Sequence, residues 1–587
     1  MRAAFHTALF ILLHLSLCAQ KFYVRGEVKD EAGNVLQNVT ILQQKTGYIY
    51  HTGFSGTFGI VAYQRTDTLQ FSMQGYFTQK VFVDADKYVR VKMKQLPASA
   101  ANSKRVKLSS LTKNLEREDQ KEWYNGSETY ASLLENHFIK TAKFPNTGMA
   151  LNVDRASYSN IRRFINLKSL VPPDAVRIEE MLNYFNLDYQ SPPDSKLFNI
   201  TSNISNCPWN AENQLLYIHF NSKKLNLDSL PPSNLVFLID VSGSMDMPNR
   251  LPLLKSAFRL MVNNLRDKDS VAIVTYGGVT GVMLNTVSGA EKEKILKAID
   301  EMEPGGNTPG ESGIKLAYSV ARNHFIKNGN NRVILATDGD FNVGLRTEDE
   351  LDSLISKHQK SGIYLTCLGV GMGNYKDSKI QTLSKKGNGN FAYLDNFKEA
   401  EKVLMEEFTK TLYAVADNVY MNVDFNPEYV KEYRLIGFDN KVGALRDSLS
   451  VIEGGEIGSG HSMLALFEIV PTEINKGAIK DHYENGKLAD IRLEYQLPGQ
   501  SENLNDDFAC KFNYQPFNKL SKACQFSAAV AMFGSVLRNS PFTRNVDWDQ
   551  ILTLAQNSSG SENSLQTEFI QLVQEAKNLY EKVKKRK

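Results

Sequence analysis

The sequence has few cysteines, few histidines and little net charge. Only 5 cysteines occur in 587 residues, and no two have the spacing of a zinc site, which excludes a disulfide scaffold and a cysteine-rich metal site. The 68 Lys and Arg residues nearly balance the 65 Asp and Glu residues, so the formal net charge is +3. No broad positive field attracts a polyanion, and we therefore expect no nucleic-acid partner.

Several enzyme signatures are also missing. The 9 histidines are scattered, and the sequence has no His-Glu-x-x-His, no Gly-x-Ser-x-Gly and no Walker loop. The glycines of 369–373 lack the Gly-x-Gly-x-x-Gly spacing of a dinucleotide site. No general base is evident, and we predict that the protein is not an enzyme.

After the first twenty residues no apolar run is long enough to span a bilayer. Residues 524–537 come nearest, but they contain Gln525, Ser527 and Ser535 and predict a buried amphipathic helix. Cys367 lies in an apolar run and is interpreted as a buried hydrophobic residue. Cys510 and Cys524 either form a disulfide or stay free, and the sequence does not decide between these.

The first residues predict export. Arg2 precedes the largely apolar residues 8–17, a run of the length found in secretory signal peptides. Cleavage after Ala19 is expected rather than lipidation at Cys18, because Leu17 is too large for the position that precedes a lipidated cysteine. Lipidation remains the alternative. The mature protein is then expected in the periplasm, at the outer membrane or outside the cell.

The remaining chain is long enough for about four domains. Its 42% apolar and 10% aromatic residues predict folded domains rather than a disordered chain. Changes in pattern divide it into a signal peptide (1–19), an antiparallel β-sandwich (21–95), a polar linker (96–128), a helical and β segment (130–232), an α/β domain (233–413) and a C-terminal extension of strands followed by helices (414–587).

The α/β domain is predicted from continuous apolar runs that alternate with helical periodicity. The runs are 235–239, 271–276, 333–336 and 363–370, and the helical stretches are 251–265, 291–302, 313–325 and 348–360. Strands of this kind are buried on both faces, which indicates a doubly wound, mainly parallel sheet covered by helices. Such sheets bind ligands at the carboxyl ends of their strands.

Oxygen-bearing side chains lie where these strands end. Asp240, Ser242 and Ser244 follow the first strand, Thr308 lies in a loop after Gly305-Gly306, and Asp338 follows the strand at 333–336. If the three loops meet at one edge, they supply two carboxylates and three hydroxyls, a set that suits Mg²⁺ or Mn²⁺ and disfavours zinc. Ca²⁺ is a further possibility. These five residues are the predicted metal site.

Each loop also has a purely structural interpretation. Asp-x-Ser-x-Ser occurs in polar turns, and Thr308-Pro309-Gly310-Glu311 fits a capping box at a helix start. A capping role for Thr308 would compete with metal ligation. Glu311 would then either tune the site or take the place of a partner's carboxylate.

The pattern Asp240-Val241-Ser242-Gly243-Ser244, with Thr308 and Asp338, resembles the metal-ion-dependent adhesion site of von Willebrand factor type A domains. The resemblance implies that Ser242, Ser244 and Thr308 ligate the metal directly and that Asp240 and Asp338 act largely through water. It also implies that an acidic side chain of a partner protein fills the open position. The resemblance extends into both flanks, since 149–185 resembles the segment that precedes this domain in a bacterial secreted family and the part beyond 414 resembles that family's extension.

The N-terminal part carries a second, looser resemblance. Its motifs at 26–28, 30–34, 55–58 and 71–76 are similar to those of carboxypeptidase regulatory-like, prealbumin-type β-sandwiches, which implies an accessory domain without chemistry. The whole chain is thus expected to be an exported, metal-dependent protein-binding protein with an adhesion or scaffold role in the cell envelope. Two alternatives are a metal-dependent hydrolase and a structural envelope protein whose metal only joins loops.

Overall fold

The structure is a computed structural model in which the chain forms two compact units. It describes residues 22–94, 128, 130 and 133–584 apart from gaps at 32, 47, 54, 63, 74–75, 227–229, 278–279, 307–309, 340–354, 356–360, 372–374, 376, 388, 408–412, 439–453, 481–485 and 561–562, and only the backbone at 378–379, 386, 406, 477–478, 480 and 584. The predicted signal peptide and all of the predicted linker except residue 128 lie outside the described residues, as does the helix predicted at 348–360 except residue 355.

The described residues of the N-terminal unit form seven strands in two sheets. One sheet has the order β4-β1-β7 and the other β3-β2-β5-β6. The strands are β1 Phe22–Asp30, β2 Thr40–Gln43, β3 Ile49–His51, β4 Thr57–Ala62, β5 Thr66–Ser72, β6 Gln79–Asp84 and β7 Val89–Met93. Val28, Ile60 and Phe71 belong to one core between the sheets. Because β1 and β7 run parallel, the expectation of a purely antiparallel sandwich is wrong at this pair.

The central α/β region has a six-stranded sheet in the order β14-β13-β12-β15-β16-β17. Its strands are β12 Ser233–Asp240, β13 Ser270–Tyr276, β14 Gly281–Ser288, β15 Asn330–Thr337, β16 Tyr364–Val370 and β17 Phe391–Leu394. All neighbouring pairs are parallel except β13 with β14. The predicted strand order omitted β14, an edge strand that is mostly half-buried and therefore lacks the continuous apolar run of the inner strands.

Helices cover both faces of this sheet. They are α3 Leu251–Asn263, α4 Lys292–Asp300, α5 Gly310–Asn323, α6 Asp377–Lys386 and α7 Phe397–Glu401, which continues into a π-helical turn at Lys402–Glu406. Successive residues of β12 point to opposite faces: Phe237 packs in the core that contains Phe258 of α3, whereas Leu238 packs in the core that contains Tyr318 of α5. The inner strands β12 and β15 are therefore buried along their whole length.

Segments before and after the central region share two further sheets. Their strands are β8 Ile139–Lys140, β9 Asn146–Ala150, β10 Phe198–Cys207, β11 Asn210–Ser222, β18 Ala414–Phe425, β19 Val430–Ile436, β20 Gly455–Gly458, β21 Ser462–Pro471, β22 Lys487–Gln496 and β23 Leu504–Lys511. The pairs β11 with β21, β8 with β19 and β9 with β18 each join the two segments. We call these paired segments the flanking body. The chain leaves the flanking body after β11, forms the central region, and returns to the flanking body at β18.

A layer of helices completes the flanking body. It consists of α1 Ala156–Asn166, α2 Ile178–Tyr184, α9 Lys522–Leu537, α10 Trp548–Ser558 and α11 Ser564–Lys584, while α8 Glu473–Lys480 lies between strands and corrects the predicted order of strands followed by helices. The helix predicted at 524–537 is α9, with Phe526 and Phe533 in the core. Residues 524–535 are all buried, so the expectation of an amphipathic helix is wrong. Cys367, Cys510 and Cys524 are buried and free, so the disulfide alternative is not observed. Among the described residues, no helix is both long and apolar enough to span a membrane.

Candidate metal-binding site

The predicted carboxylates lie at one edge of the central sheet. Strand β12 ends at Asp240 and its parallel neighbour β15 ends at Thr337, one residue before Asp338. The register that pairs Ile239 with Ala336 brings both strand ends to the same level. Parallel pairing thus collects at one place two carboxylates that are almost one hundred positions apart in sequence.

Asp240 is buried and held by two neighbours. Its Oδ1 accepts a hydrogen bond from the Ser242 backbone N–H at 2.9 Å, and its Oδ2 accepts one from the Thr337 hydroxyl at 3.1 Å. Burial raises the pKa of Asp240 to about 6, and the charge of Asp338 adds to this rise, while the bonds from Ser242 and Thr337 oppose it. A nearby cation would favour the ionised form of this carboxyl group.

The two serine hydroxyls meet beside this carboxyl group. Ser242 Oγ and Ser244 Oγ are 3.0 Å apart, and either can be the donor. A 3₁₀-helical turn, Gly243–Met245, forms the loop, and the Met245 N–H donates to the Ser242 carbonyl at 2.9 Å. Ser242 is buried whereas Ser244 is exposed. The pair therefore lies between the interior and the solvent.

The glycine loop that leads to Thr308 is bonded directly to the serine loop. The Gly243 N–H donates to the Gly306 carbonyl at 3.2 Å, and the Gly305 N–H donates to the Val241 carbonyl at 2.7 Å. Thr308 itself lies outside the described residues, so its role as a ligand or a cap stays a prediction. Glu311, which follows on α5, forms an ion pair with Lys315 one turn later.

A glycine at the end of β13 allows the serine loop to pack this closely. Gly277 has a φ of +134°, and a Cβ atom there would lie 2.4 Å from the Ser242 nitrogen. Any side chain at this position would push the serine loop away from the sheet. The close approach is a feature of the tertiary structure that the sequence motif does not contain.

Two residues at the edge were missed by the sequence analysis. Thr337 joins the two strand ends through its bond to Asp240, and it also accepts a hydrogen bond from the Gly339 N–H at 3.0 Å. Arg250 precedes α3 and is buried, and its Nη1 donates to Asp338 Oδ2 at 2.7 Å and to the Ser244 carbonyl at 2.6 Å. Thr337 adjoins the motif residue Asp338, but nothing in the local pattern marks Arg250.

The side chains at this edge fit a hard divalent cation. Asp240, Ser242, Ser244 and Asp338 offer oxygen donors alone, which suits magnesium, manganese or calcium rather than zinc. In the described part of the chain, no group of three or more His, Cys, Asp and Glu side chains could hold a metal. Hydroxyl oxygens add to the two carboxylates here, since Ser242 and Ser244 present two of them 3.0 Å apart.

Comparisons with known proteins agree with this fold. The model of the von Willebrand factor type A domain matches residues 234–406, and the model of the C-terminal part of uncharacterized protein YfbK matches residues 410–579. The Escherichia coli (strain K12) protein named "Uncharacterized protein YfbK" is 37% identical over 468 residues, which cover 76% of this chain and 81% of that protein. The chain belongs to the YfbK family. It is thus a type A domain protein with a C-terminal YfbK domain.

More distant similarities are confined to parts of this YfbK-family chain. Inter-alpha-trypsin inhibitor heavy chain H2 of Mesocricetus auratus is 25% identical over 36% of this chain and 22% of that protein. The magnesium-chelatase 67 kDa subunit of Chlorobaculum parvum is 25% identical over 29% of each chain. Among solved structures, a von Willebrand factor type A protein from Catenulispora acidiphila is 13% identical over 64% of this chain and 88% of that one, with a TM-score of 0.38.

Proposed function

We propose that this YfbK-family protein binds a protein partner through a divalent cation at the carboxyl edge of its central sheet. Ser242, Ser244 and Thr308 would hold the cation directly, with Asp240 and Asp338 acting largely through water. Magnesium is the expected ion, and manganese or calcium could replace it. A bound cation would supply the positive centre to which an acidic side chain of the partner attaches.

The observation that carries this proposal is the pair of serine hydroxyls 3.0 Å apart beside the buried carboxyl group of Asp240. Hydroxyl ligands are neutral, so they leave more of the positive charge of an ion uncompensated than four carboxylates would. Asp240 is fixed by hydrogen bonds from two elements and cannot turn away from the loop without breaking them. The family supports the same function, since von Willebrand factor type A domains commonly mediate protein interactions.

The hydrolase alternative has less support. Two partial relatives are named as magnesium-chelatase subunits, but each match covers 29% of this chain. Hydrolysis needs a general base within hydrogen-bond reach of a reacting water. The loops at 240–246, 303–306 and 337–339 contain no histidine, and Asp240 already accepts two hydrogen bonds. We therefore assign binding rather than catalysis to this edge.

Export of the protein belongs to the same proposal. Residues 1–19 have the charge and apolar length of a signal peptide. If the protein is exported, its partner must also lie in the cell envelope or outside the cell. Intact-mass analysis should find a mature chain that begins near Gln20 without lipid. A diacylglyceryl adduct on Cys18 would contradict simple cleavage.

The binding function can be tested by partner capture with and without metal. The immobilised full chain should retain a protein from the envelope fraction of the source organism in Mg²⁺, and chelator should release it. Ser242→Ala should lose both the captured protein and the metal-induced rise in melting temperature, because it removes a proposed ligand without adding charge or bulk. Ser256→Ala is the matched control, since Ser256 is an exposed serine on α3 whose hydroxyl donates to the Pro252 carbonyl of its own helix.

The result also distinguishes a metal that takes part in partner binding from a metal that only joins loops. If chelator lowers the melting temperature while capture persists, the metal only joins loops and the proposed function is wrong. The same conclusion follows if Ser242→Ala abolishes metal binding and the partner is still captured at wild-type affinity.

A further inference from the structure

A buried arginine faces the candidate metal site from the start of α3. The Nη1 group of Arg250 bridges Asp338 Oδ2 at 2.7 Å and the Ser244 carbonyl at 2.6 Å. The side chains of Arg250 and Asp338 are 8% and 2% exposed. One cationic group of the protein itself thus joins the serine loop to the second carboxylate of the proposed site.

The fold holds this arginine in place from the opposite side. Gly371 follows β16 with a φ of +82°, and a Cβ atom there would lie 2.4 Å from Arg250 Nε and 3.0 Å from its Cγ. The Gly371 carbonyl accepts a hydrogen bond from the hydroxyl of buried Tyr393 on β17. The arginine therefore occupies a space that exists only because residue 371 has no side chain.

Formal charges show what this contact does to a metal site. Asp240 and Asp338 contribute two negative charges when ionised, and Arg250 leaves a net charge of about −1. A divalent cation would raise the total to about +1, whereas the same site without Arg250 would become neutral. The guanidinium group therefore opposes metal binding, both by repulsion and by occupying an oxygen of Asp338.

We propose that Arg250 is a built-in competitor of the divalent cation for Asp338. In the metal-free protein it holds Asp338 against the serine loop, and its charge weakens metal binding. With metal bound, the same charge leaves the site positive, which favours an acidic group of a partner. This inference rests on the proposed function, because it concerns the regulation of the same site.

Manganese titration of the full-length protein tests the inference. Isothermal titration calorimetry should give a Kd for Mn²⁺ that is about ten-fold lower in Arg250→Gln than in the wild type, because a positive charge close to the ion is removed. The metal-free melting temperature of Arg250→Gln should fall, since Asp338 loses its ion pair. Arg259→Gln, on the helix α3 that Arg250 precedes, is the matched control. Arg259 is exposed and pairs with Asp300, so the Kd should not change.

A second variant separates charge from shape. Arg250→Lys keeps the positive charge and should bind Mn²⁺ with a Kd within about two-fold of the wild-type value. It also replaces Arg250→Gln as the test if the latter does not fold: a Kd lowered about ten-fold in Arg250→Lys would show that charge is not the cause and would overturn the inference.

The outcomes distinguish this inference from the proposed function. If the wild type binds Mn²⁺ and Arg250→Gln binds it equally or more weakly, Arg250 is not a competitor and the inference is wrong, while the metal site stands. If the wild type binds no Mn²⁺ and Arg250→Gln does, the competition is supported and the metal-dependent function is wrong. If neither protein binds Mn²⁺, both are wrong.

Discussion

Strand β15 has a buried arginine–carboxylate pair at each end, and the two pairs differ in their surroundings. At its start, one terminal nitrogen of Arg332 donates to both carboxylate oxygens of Glu456 on β20, at 2.8 Å each. At its end, Arg250 donates to one oxygen of Asp338, next to the exposed hydroxyl of Ser244. The first pair joins the central sheet to the flanking body, whereas the second adjoins an edge that offers oxygen ligands.

The difference shows that a buried ion pair does not by itself indicate a functional site. Both oxygens of Glu456 are used by Arg332, whose Nη1 bonds to the hydroxyl of Thr366, so the carboxylate and both terminal nitrogens of the guanidinium group bond within the protein. Burial nevertheless raises the pKa of Glu456 to about 7. A raised pKa occurs at structural pairs as well as at functional ones. What distinguishes the pair at the end of β15 from the pair at its start is the neighbouring hydroxyl groups of Ser242 and Ser244.

The largest fall in the free energy of unfolding is expected when the pair at the start of β15, Arg332 with Glu456, is broken. Glu456→Ala leaves the guanidinium group of Arg332 buried without its carboxylate, and the free energy of unfolding should fall by about 3–5 kcal/mol in urea denaturation. The double variant Arg332→Met/Glu456→Leu should recover most of this loss, because it removes both charges. A loss below about 1 kcal/mol for Glu456→Ala would contradict the structural role of this pair.

A divalent metal should stabilise the protein only through the second pair, Arg250 with Asp338 at the end of β15. Free Mg²⁺ at about ten times its Kd should raise the free energy of unfolding by about 1.4 kcal/mol if it binds only the folded state. Asp338→Asn should lose most of this rise, measured as a melting shift, whereas Glu456→Gln should keep it. Loss of the rise in both variants would show that the two ends are coupled.

Removing a single hydroxyl group at each end of β15 should change the free energy of unfolding less, and it compares the two ends more directly. Thr337→Val removes the bond to Asp240 and the acceptor of the Gly339 N–H, and should lower the free energy of unfolding without metal by about 1 kcal/mol. Thr366→Val is the counterpart at the other end, since it removes an acceptor from Arg332. It should destabilise the protein at least as much, because its partner is a buried charge. The reverse order in denaturation experiments would weaken the contrast between the two ends.

The smallest effect is expected from an arginine pair on the surface. Arg259 and Asp300 form an ion pair with side chains 48% and 52% exposed. Arg259→Gln should change the free energy of unfolding by about 0.5 kcal/mol or less, because solvent screens the pair. A change as large as that of Glu456→Ala would mean that burial is not what distinguishes these pairs.

The central sheet is the part of the fold best predicted from sequence. Runs such as 235–239 and 333–336 lie within β12 and β15, because strands covered on both faces must be apolar throughout. Two edge strands were not predicted from the sequence, because strands that are less covered need not be apolar throughout. Strand β14 at Gly281–Ser288 is mostly half-buried, and β23 at Leu504–Lys511 alternates between exposed and half-buried residues except at buried Cys510, so neither contains such a run. The helix α10, Trp548–Ser558, was also missed, although Asp547 and Gln550 form a capping box at its start.

The sequence by itself determined the inner strands and the motif that starts at Asp240, because both depend on residues that are neighbours in the chain. Only the tertiary structure decided which distant segments meet. Gln214 of β11 lies opposite Ile469 of β21, and Arg250 reaches Asp338 across the carboxyl edge. Such contacts depend on strand pairing and on the space left by Gly371, and these arise only when the whole domain packs. Local spacing cannot encode them, since the partner of a buried charge is chosen by burial and geometry in three dimensions.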